Sequence, residues 1–305
     1  MLRTLRRAAA EERPDVFVAI DFPDFNFRLL PAMRKLGIPV VYYVSPQLWA
    51  WRSGRMKTMR KIADRVLVIF PFEEAIYRAA GVAVEFVGHP LIDLATASRS
   101  RHDFLKARAL SPAAPTVAIL PGSRPNEVAR ILPGFVASAA LIRARVPDVQ
   151  FVVARAPNLD DRLFEVAGGG RVAMTIVEGD TDAVLASADA AVTASGTATV
   201  QAALHDTPMV IVYRLSPVTY LLGRRLVRVD TFGMVNLIAG EKIVPELIQR
   251  AFTPEAVAEQ VVSMLTDRAR AGRIREGLAR VRDRLGAPGA SRRAAEAILK
   301  IARQV

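Results

Sequence analysis

The chain of 305 residues is 51% hydrophobic and 24% charged, a composition typical of a globular protein long enough to form two domains. It has no cysteine and only three histidines, which excludes disulfides and thiolate metal sites and disfavours a histidine-built metal centre. The net charge of +12 predicts anionic partners, which leaves nucleic acid, acidic lipid and phosphorylated substrates open. Because no run of about 18 apolar residues and no apolar signal-peptide core is present, we expect a cytoplasmic protein that does not span a membrane.

Short apolar runs alternate with helical patterns along the chain, and this alternation is typical of a parallel α/β fold. After an opening basic helix, the first part has predicted strands at 15–20, 39–44, 65–69 and 84–87. Its predicted helices are 25–36, 54–63 and 72–80. The segment 97–115, rich in Arg, Ser, Pro and Ala, is expected to cross into a second domain.

The second part repeats the same alternation of strands and helices. Its predicted strands are 116–120, 150–154, 173–177, 190–194 and 209–213, and its predicted helices are 127–145, 182–187 and 200–205. Ser291 is the predicted N-cap of a closing helix, 291–304. These patterns predict a first domain at 1–112, a second at 113–287, and a C-terminal helix at 288–305 that packs back toward the first domain.

Two Gly/Ser loops in the second part each lie between a predicted strand and a predicted helix. They are Leu120-Pro-Gly-Ser-Arg124 and Ser195-Gly-Thr-Ala-Thr199. A loop of this kind presents backbone N–H groups and a helix dipole to an anion. Two such loops in one domain predict a diphosphate held between them, with Arg124 as the counter-charge. This interpretation points to a nucleotide-sugar donor.

Two carboxylates, Asp21 and Asp24, follow the first predicted strand at the edge where open α/β sheets bind ligands. We interpret Asp21 as a group that deprotonates an attacking hydroxyl. For Asp24, capping of the next helix is the favoured interpretation and a role in the site is the alternative.

Both tryptophans of the chain, Trp49 and Trp51, lie beside Arg52. Aromatic side chains next to an arginine suit contact with a sugar or an acyl chain together with a phosphate, and a packed loop is the alternative. The basic run that continues to Arg65 is either a solvated helix face or a surface that attracts anionic lipid.

Three further polar motifs leave two interpretations open. His89, in a Gly-His-Pro sequence after a strand, is either a substrate contact or a structural histidine. Asp180-Thr-Asp182 has the D-x-D spacing of some metal-dependent glycosyltransferases, but its place before a short helix favours N-capping. No metal is expected, because Arg124 and two helix N-termini suffice to stabilise a leaving group. Asn236 either contacts a base or a sugar hydroxyl or belongs to a turn.

Taken together and in order, several strings closely resemble the lipid-A-disaccharide synthase family. They are PDVFVAIDFPDFN, YYVSPQLWAWR, IFPFE, FVGHPLID, AILPGSRPNEV, SGTATVQAAL, PMVIVYR and NLIAGEKIVPELIQ, and they cover nearly the whole chain from Arg13 onward. The resemblance implies a GT-B fold, in which two Rossmann-like parallel-sheet domains face each other across a cleft.

The resemblance also implies the reaction and its setting. The donor is UDP-2,3-diacylglucosamine, the acceptor is 2,3-diacylglucosamine 1-phosphate (lipid X), and the products are the β-1,6-linked disaccharide 1-phosphate and UDP. Transfer proceeds with inversion and without a metal or other cofactor. The family members are peripheral proteins on the cytoplasmic face of the inner membrane and are often dimeric, so an anionic membrane surface and a second copy are expected partners.

Carried over residue by residue, the resemblance assigns roles to the motifs above. Asp21 matches the candidate base for the acceptor 6-hydroxyl, and Arg124 matches the essential arginine at the UDP phosphates. Asp24, Trp49, Trp51, Arg52 and His89 are expected on the acceptor and lipid side. The expected UDP-sugar contacts are Ser123, Arg124, Glu127, Ser195, Gly196, Thr197, Thr199, Gln201 and Asn236.

The chain departs from the family pattern in two ways. Gln201 stands where the family usually has a glutamate, and an amide hydrogen-bonds a hydroxyl but brings no charge. The family's opening strand and its Ser-Gly-Glu-x-Ser-Gly-Asp loop have no counterpart before Asp15, so the first domain is expected to be N-terminally incomplete. We therefore expect the native protein to start upstream of Met1.

Alternatives from other classes remain at this stage. Another UDP-sugar enzyme of the same fold, such as a 2-epimerase or a peptidoglycan-type transferase, fits the loops but not the WAWR and NLIAG strings. A non-catalytic UDP- or lipid-binding remnant fits the incomplete first domain. A nucleic-acid-binding protein is not expected, because no helix-turn-helix, RNA-recognition or zinc signature is present.

Overall fold

The computed structural model describes residues 1–48, 54–169, 172–214, 231 and 233–303. These residues form two compact units. Among the described residues, unit 1 comprises 1–93 and 284–303, and unit 2 comprises the described residues from 94 to 283.

Unit 1 is a parallel sheet of four strands with helices on both faces. The strands are β1 (Phe17–Ile20), β2 (Val40–Tyr43), β3 (Arg65–Val68) and β4 (Val84–Phe86), and the helices are α1 (Leu2–Glu12), α2 (Pro23–Lys35), α3 (Arg55–Ile62), α4 (Pro71–Ala79), α5 (Leu91–Leu94) and α14 (Ala290–Ala302). The strand order is β1-β2-β3-β4, so β1 is an edge strand of the described sheet.

Successive side chains of a strand point to opposite faces of the sheet, so neighbouring residues of one strand pack into different hydrophobic cores. Val40 and Tyr42 of β2 point into a core formed with α1, α2, α3 and α4. Val41, between them, packs with Leu67 against Ala294 of the C-terminal helix α14. Both faces of the sheet are therefore buried.

The C-terminal helix begins one residue earlier than predicted, and Ser291 is not its cap. The N-cap is Gly289, which adopts a left-handed conformation (φ 88°) that a glycine accepts without strain. Its backbone N–H donates to both carboxylate oxygens of Asp93, at 3.0 and 2.9 Å. The prediction failed because this fixing contact is with a residue distant in sequence.

Unit 2 is a parallel sheet of six strands. The strands are β5 (Thr116–Leu120), β6 (Gln150–Arg155), β7 (Met174–Glu178), β8 (Ala190–Ala194), β9 (Met209–Tyr213) and β10 (Glu246–Ile248). The helices are α6 (Arg101–Lys106), α7 (Pro125–Arg145), α8 (Glu165–Gly168), α9 (Thr181–Ala186), α10 (Thr197–Leu204), α11 (Met234–Ala239), α12 (Pro254–Thr266) and α13 (Arg268–Arg284), with 3-10 turns at Asp161–Phe164 and Gln249–Ala251.

The strand order of unit 2 is β10-β9-β8-β5-β6-β7, and every pairing is parallel. From β5 the chain runs outward through β6 and β7, then returns to place β8 on the other side of β5. Every residue of β5 and β8 is buried, as in the centre of a doubly wound sheet. The order reverses between these two strands, and ligands bind to such folds at this point. The predicted fold class, α/β with two Rossmann-like parallel sheets, is confirmed.

Candidate active site

The two Gly/Ser loops leave neighbouring strands at the reversal point of the unit 2 sheet. Leu120, the last residue of β5, pairs with Thr193 of β8, so the loops that follow emerge side by side. They line one cavity of about 280 Å³. The first loop and helix α7 contribute Gly122, Ser123, Arg124 and Glu127, and the second loop and helix α10 contribute Ser195, Gly196, Thr197, Ala198 and Gln201. The rest of the lining comes from neighbouring segments: Leu120, Ala154, Ala156, Thr181 and Ala194.

The first loop delivers a helix N-terminus and an exposed cation to this cavity. Arg124 is the N-cap of α7 and Pro125 is its first residue, a position where proline is favoured because no intrahelical N–H is needed. The Arg124 guanidinium donates to Glu127 Oε1 at 2.9 Å, yet its side chain is 79% exposed. An exposed ion pair of this kind is weak, so the guanidinium is available to an incoming phosphate.

Gly122 shapes the turn between β5 and Arg124. Its φ is +116°, and a Cβ placed there would lie 2.9 Å from Glu127 Oε2 and 3.0 Å from Glu127 Cβ. The loop therefore needs a residue without a side chain, because both the conformation and the space exclude one.

The second loop places exposed hydroxyl and backbone groups at the N-terminus of α10. Gly196 is the N-cap and Thr197 is the first helical residue, and both are exposed. Thr199 is fully buried, and its hydroxyl donates to the carbonyl of Gly196 at 2.8 Å. Thr199 thus stabilises the loop by this hydrogen bond, while Ser195, Gly196 and Thr197 line the cavity.

Gln201 also lines the cavity and is held from behind by a pair of side chains that sequence reasoning did not bring together. Its Nε2 lies 3.3 Å from Asp182 Oδ1, and His205 Nε2 lies 2.9 Å from the same oxygen. Asp180, the N-cap residue of α9, accepts a hydrogen bond from Ser98 Oγ at 3.1 Å instead of capping the helix with its side chain. The two carboxylates of the D-x-D motif thus have separate partners. Within the described ranges, no group of three or more His, Cys, Asp or Glu could hold a metal ion.

Tyr213, at the end of β9, was missed by the sequence analysis. Burial, with the nearby Glu127 carboxylate, raises the pKa of its phenol, while Arg124 acts in the opposite direction. Its position at the end of the fifth apolar strand of the domain is the sequence signal that could have found it.

Asn236 is buried, and its side chain is fully engaged within its own loop. Its Nδ2 donates to the carbonyl of Val244 at 3.0 Å and to Glu246 Oε1 at 2.7 Å. Its Oδ1 accepts from the backbone N–H groups of Ile243 and Val244, at 3.0 and 3.1 Å. Two donors and two acceptors are the whole capacity of an amide, so this geometry supports the turn interpretation over direct contact with a ligand.

A larger cavity in unit 2, of about 630 Å³, lies between the 241–246 loop and helix α13. It is lined by exposed charged side chains, among them Lys242, Arg273 and Arg280. We place the candidate site at the smaller cavity, because two strand–loop–helix turns converge there at the reversal of the sheet.

In unit 1, Asp21 lies directly after β1 in a strained turn. Asp21 and Phe22 both adopt left-handed conformations, with φ of 45° and 43°, which cost energy in residues other than glycine. The Asp21 carbonyl accepts from Tyr42 Oη at 2.6 Å and from Asn26 Nδ2 at 2.7 Å. The backbone is thus held while the side chain is exposed. Strain maintained in this way is typical of functional positions.

Asp24 is not the N-cap of α2, as the capping interpretation required. That position belongs to Phe22, and Asp24 lies in the first turn, where a negatively charged carboxylate interacts favourably with the helix dipole. Its Oδ1 is 3.2 Å from a guanidinium nitrogen of Arg55 on α3. Trp49, Trp51 and Arg52 lie outside the described residues.

His89 is 3% exposed and has a structural environment. Its Nδ1 accepts from the backbone N–H of Leu91 at 3.2 Å, and its ring lies 5.2 Å from that of Phe70. Burial lowers the pKa of His89 to about 4, so the ring is neutral near pH 7. The structural interpretation is the better supported one.

No helix among those described is long and apolar enough to cross a membrane.

Comparison with known proteins identifies the family. The sequence model of the family described as lipid-A-disaccharide synthetase matches residues 1–301. The lipid-A-disaccharide synthase of Syntrophus aciditrophicus is 43% identical over 297 residues, which are 97% of this chain and 78% of that protein. The lipid-A-disaccharide synthase of Myxococcus xanthus is 44% identical over 302 residues, which are 99% of this chain and 79% of that protein.

Solved structures share the fold. The UDP-GlcNAc 2-epimerase of Neisseria meningitidis, bound to UDP-GlcNAc, is similar with a TM-score of 0.68 at 12% identity, over 98% of this chain and 80% of that one. The calicheamicin glycosyltransferase CalG4 is similar with a TM-score of 0.60 at 19% identity, over 100% of this chain and 77% of that one. At these identities the likeness shows the GT-B architecture alone, whereas the sequence matches decide between the enzyme classes. The chain belongs to the lipid-A-disaccharide synthase family, glycosyltransferases of lipid A biosynthesis.

Proposed function

We propose that this chain transfers a diacylglucosaminyl group from UDP-2,3-diacylglucosamine to the 6-hydroxyl of lipid X, giving the β-1,6-linked disaccharide 1-phosphate and UDP. The observation that carries the proposal is the pair of loops at the reversal point of the unit 2 sheet, which line one cavity with Arg124 at its edge. This is the arrangement by which a doubly wound sheet binds a diphosphate.

The donor diphosphate is bound by the N-termini of α7 and α10. Ser123, Ser195, Gly196 and Thr197 provide exposed or half-exposed polar groups at these N-termini. The Arg124 guanidinium exchanges Glu127 for the phosphate oxygens. As the anomeric C–O bond to UDP breaks, the bonding electron pair passes to the β-phosphate oxygen, where Arg124 and the two helix dipoles stabilise the added charge.

The acceptor is activated by Asp21. Its carboxylate takes the proton of the 6-hydroxyl as that oxygen forms the new bond to the anomeric carbon, on the face opposite UDP, so the configuration inverts. The exposed side chain on a fixed backbone supports this role, because a base must be free to reach the proton while its position stays defined.

The acyl chains of both substrates imply that the protein works as a peripheral protein on the cytoplasmic face of the inner membrane. The net charge of +12 and the exposed basic residues Lys57, Arg60 and Lys61 of α3 support attraction to an anionic surface. Trp49, Trp51 and Arg52 are proposed to act on the acceptor and lipid side of the reaction. A homodimer is proposed from the resemblance alone.

The experiment is a UDP-release assay with both substrates, in which Asp21→Asn and Arg124→Ala are compared with matched controls. Asp15→Asn makes the same substitution before the other end of β1, and Arg130→Ala removes an exposed arginine elsewhere on α7. The proposal predicts acceptor-dependent UDP release by the wild type, retained by both controls and reduced at least about 100-fold by Asp21→Asn and Arg124→Ala. UDP binding without turnover would leave a nucleotide-binding protein and contradict the proposal.

A further inference from the structure

Gln201, Asp182 and His205 form a hydrogen-bonded cluster behind the loop cavity. Asp182 lies in the first turn of α9, Gln201 lies on α10, and His205 is the C-cap residue of α10, four residues after Gln201. One carboxylate oxygen, Asp182 Oδ1, is hydrogen-bonded to both neighbours, to Gln201 Nε2 at 3.3 Å and to His205 Nε2 at 2.9 Å. The His205 side chain is 9% exposed and that of Asp182 is 22% exposed, so the cluster is largely shielded from water.

The chemistry of a carboxylate fixes which way the Gln201 amide faces. An ionised carboxylate only accepts hydrogen bonds, so the group of Gln201 that faces Asp182 is the NH2 and not the oxygen. For the same reason His205 carries its proton on Nε2. The amide oxygen of Gln201 is therefore directed away from Asp182, and no described residue donates a hydrogen bond to it.

The position of Gln201 along α10 determines what it meets. It is four residues after Thr197, roughly 6 Å along the axis from the helix N-terminus at which the proposed function places the diphosphate. That distance is one sugar ring beyond a phosphate, and Gln201 lines the same cavity.

We infer that Asp182 and His205 are positioning residues that hold Oε1 of Gln201 toward the cavity as an obligate acceptor, for a hydroxyl of the sugar ring joined to the bound phosphate. This inference rests on the proposed function, because it requires a sugar nucleotide in the cavity. The hydroxyl belongs to the ribose or to the transferred hexose, and in either case it is bound as a donor.

The ligand test uses analogues in which one hydroxyl is replaced by hydrogen or by fluorine. Fluorine cannot donate, so an obligate acceptor treats the two analogues alike, whereas an NH2 facing the ligand would favour fluorine. We expect one position, among 2′ and 3′ of UDP or 4 and 6 of the donor hexose, at which both analogues bind the full chain about fivefold to tenfold more weakly than the parent compound. The UDP series and the hexose series distinguish the two sources of the hydroxyl.

The protein test exchanges the carboxylate and the amide. Gln201→Glu places two carboxylates side by side and is expected to weaken UDP or donor binding at least about tenfold. The double variant Gln201→Glu/Asp182→Asn restores the pair, with the amide introduced at position 182 donating to the carboxylate introduced at position 201, and is expected to bind within about threefold of the wild type. Asp180→Asn is the matched control, since it removes the same charge from a carboxylate that contacts Ser98 instead of Gln201.

The outcomes separate this inference from the proposed function. Thermal melting of each variant first confirms that it is folded. A double variant no tighter than Gln201→Glu, fluorine analogues that bind at every position as well as the parent, or an Asp180→Asn variant as weak as Gln201→Glu would overturn the inference while wild-type turnover still supports the function. A wild-type chain that binds no UDP would overturn both.

Discussion

Replacing Asn236 with alanine should destabilise unit 2 strongly while leaving nucleotide binding by the folded protein unchanged. The side chain is 1% exposed and makes four hydrogen bonds, to Ile243 N, Val244 N, Val244 O and Glu246 Oε1. Each such bond contributes about 1 kcal/mol net, and buried groups left without a partner cost more. The expected loss is therefore about 3 to 5 kcal/mol of unfolding free energy.

The measurement is urea-induced unfolding followed by circular dichroism, together with UDP binding by calorimetry under folding conditions. Lys242→Ala, an exposed substitution in the same loop, is the control and should change the free energy of unfolding by no more than about 0.5 kcal/mol. The affinity for UDP should stay within about twofold in Asn236→Ala, because all four hydrogen-bonding sites of the amide are occupied inside the loop.

Two results would refute this reasoning. A loss of less than about 1 kcal/mol would mean that water replaces the four bonds at little cost. An unchanged stability with UDP binding weakened more than about tenfold would make Asn236 a direct donor contact, as the resemblance first suggested.

Three further predictions concern the site and the pH dependence of folding. Arg124→Ala should weaken UDP binding about 10-fold to 100-fold, because a charged hydrogen bond to phosphate is lost, whereas Glu127→Gln should not weaken it. A calorimetric affinity of Arg124→Ala within about twofold of wild type would contradict this prediction. Gly122→Ala should weaken UDP binding and cost about 1 to 2 kcal/mol of stability, because a Cβ at φ +116° would lie 2.9 Å from Glu127 Oε2; equal melting temperatures would refute the strain. Burial lowers the pKa of His89 from 6.5 to about 4, so the unfolded chain binds its proton first as pH falls. Stability should therefore be full above pH 6.5 and decline by up to about 3 kcal/mol toward pH 4, a slope that urea titrations of His89→Asn should lack.

Every described strand except β10 was predictable, because each is a short, mostly apolar run, whereas the three residues of β10 (Glu246–Ile248) follow a proline and begin with a charged residue. Thr116–Leu120, Ala190–Ala194 and Met209–Tyr213 occur at their predicted bounds, since strands buried on both faces contain few polar residues and no charged ones. Helices α12 and α13 were not predicted, although Thr253 before Pro254 is a start signal and the Thr253 hydroxyl does cap α12. In the arginine-rich α13 only a narrow apolar stripe is buried, which makes its periodicity hard to recognise.

The candidate site was predictable as far as its local motifs reached. Both Gly/Ser loops were found because a strand, a small-residue turn and a helix are contiguous in sequence, and the parallel pairing of β5 with β8 brings them together. The cluster of Asp182 with His205 and the burial of Asn236 depend on contacts between separate elements, which no local pattern reports. The left-handed turn at Asp21 was likewise invisible, because no local pattern signals two left-handed residues in succession and phenylalanine, unlike aspartate, is rare in this conformation.

The most direct test of the account is the identity of the product formed from UDP-2,3-diacylglucosamine and lipid X. Mass spectrometry should show one disaccharide 1-phosphate for each UDP released, and the NMR coupling of the new anomeric proton should show a β linkage. UDP release that does not depend on lipid X, an α linkage, or no disaccharide at all would contradict the central claim.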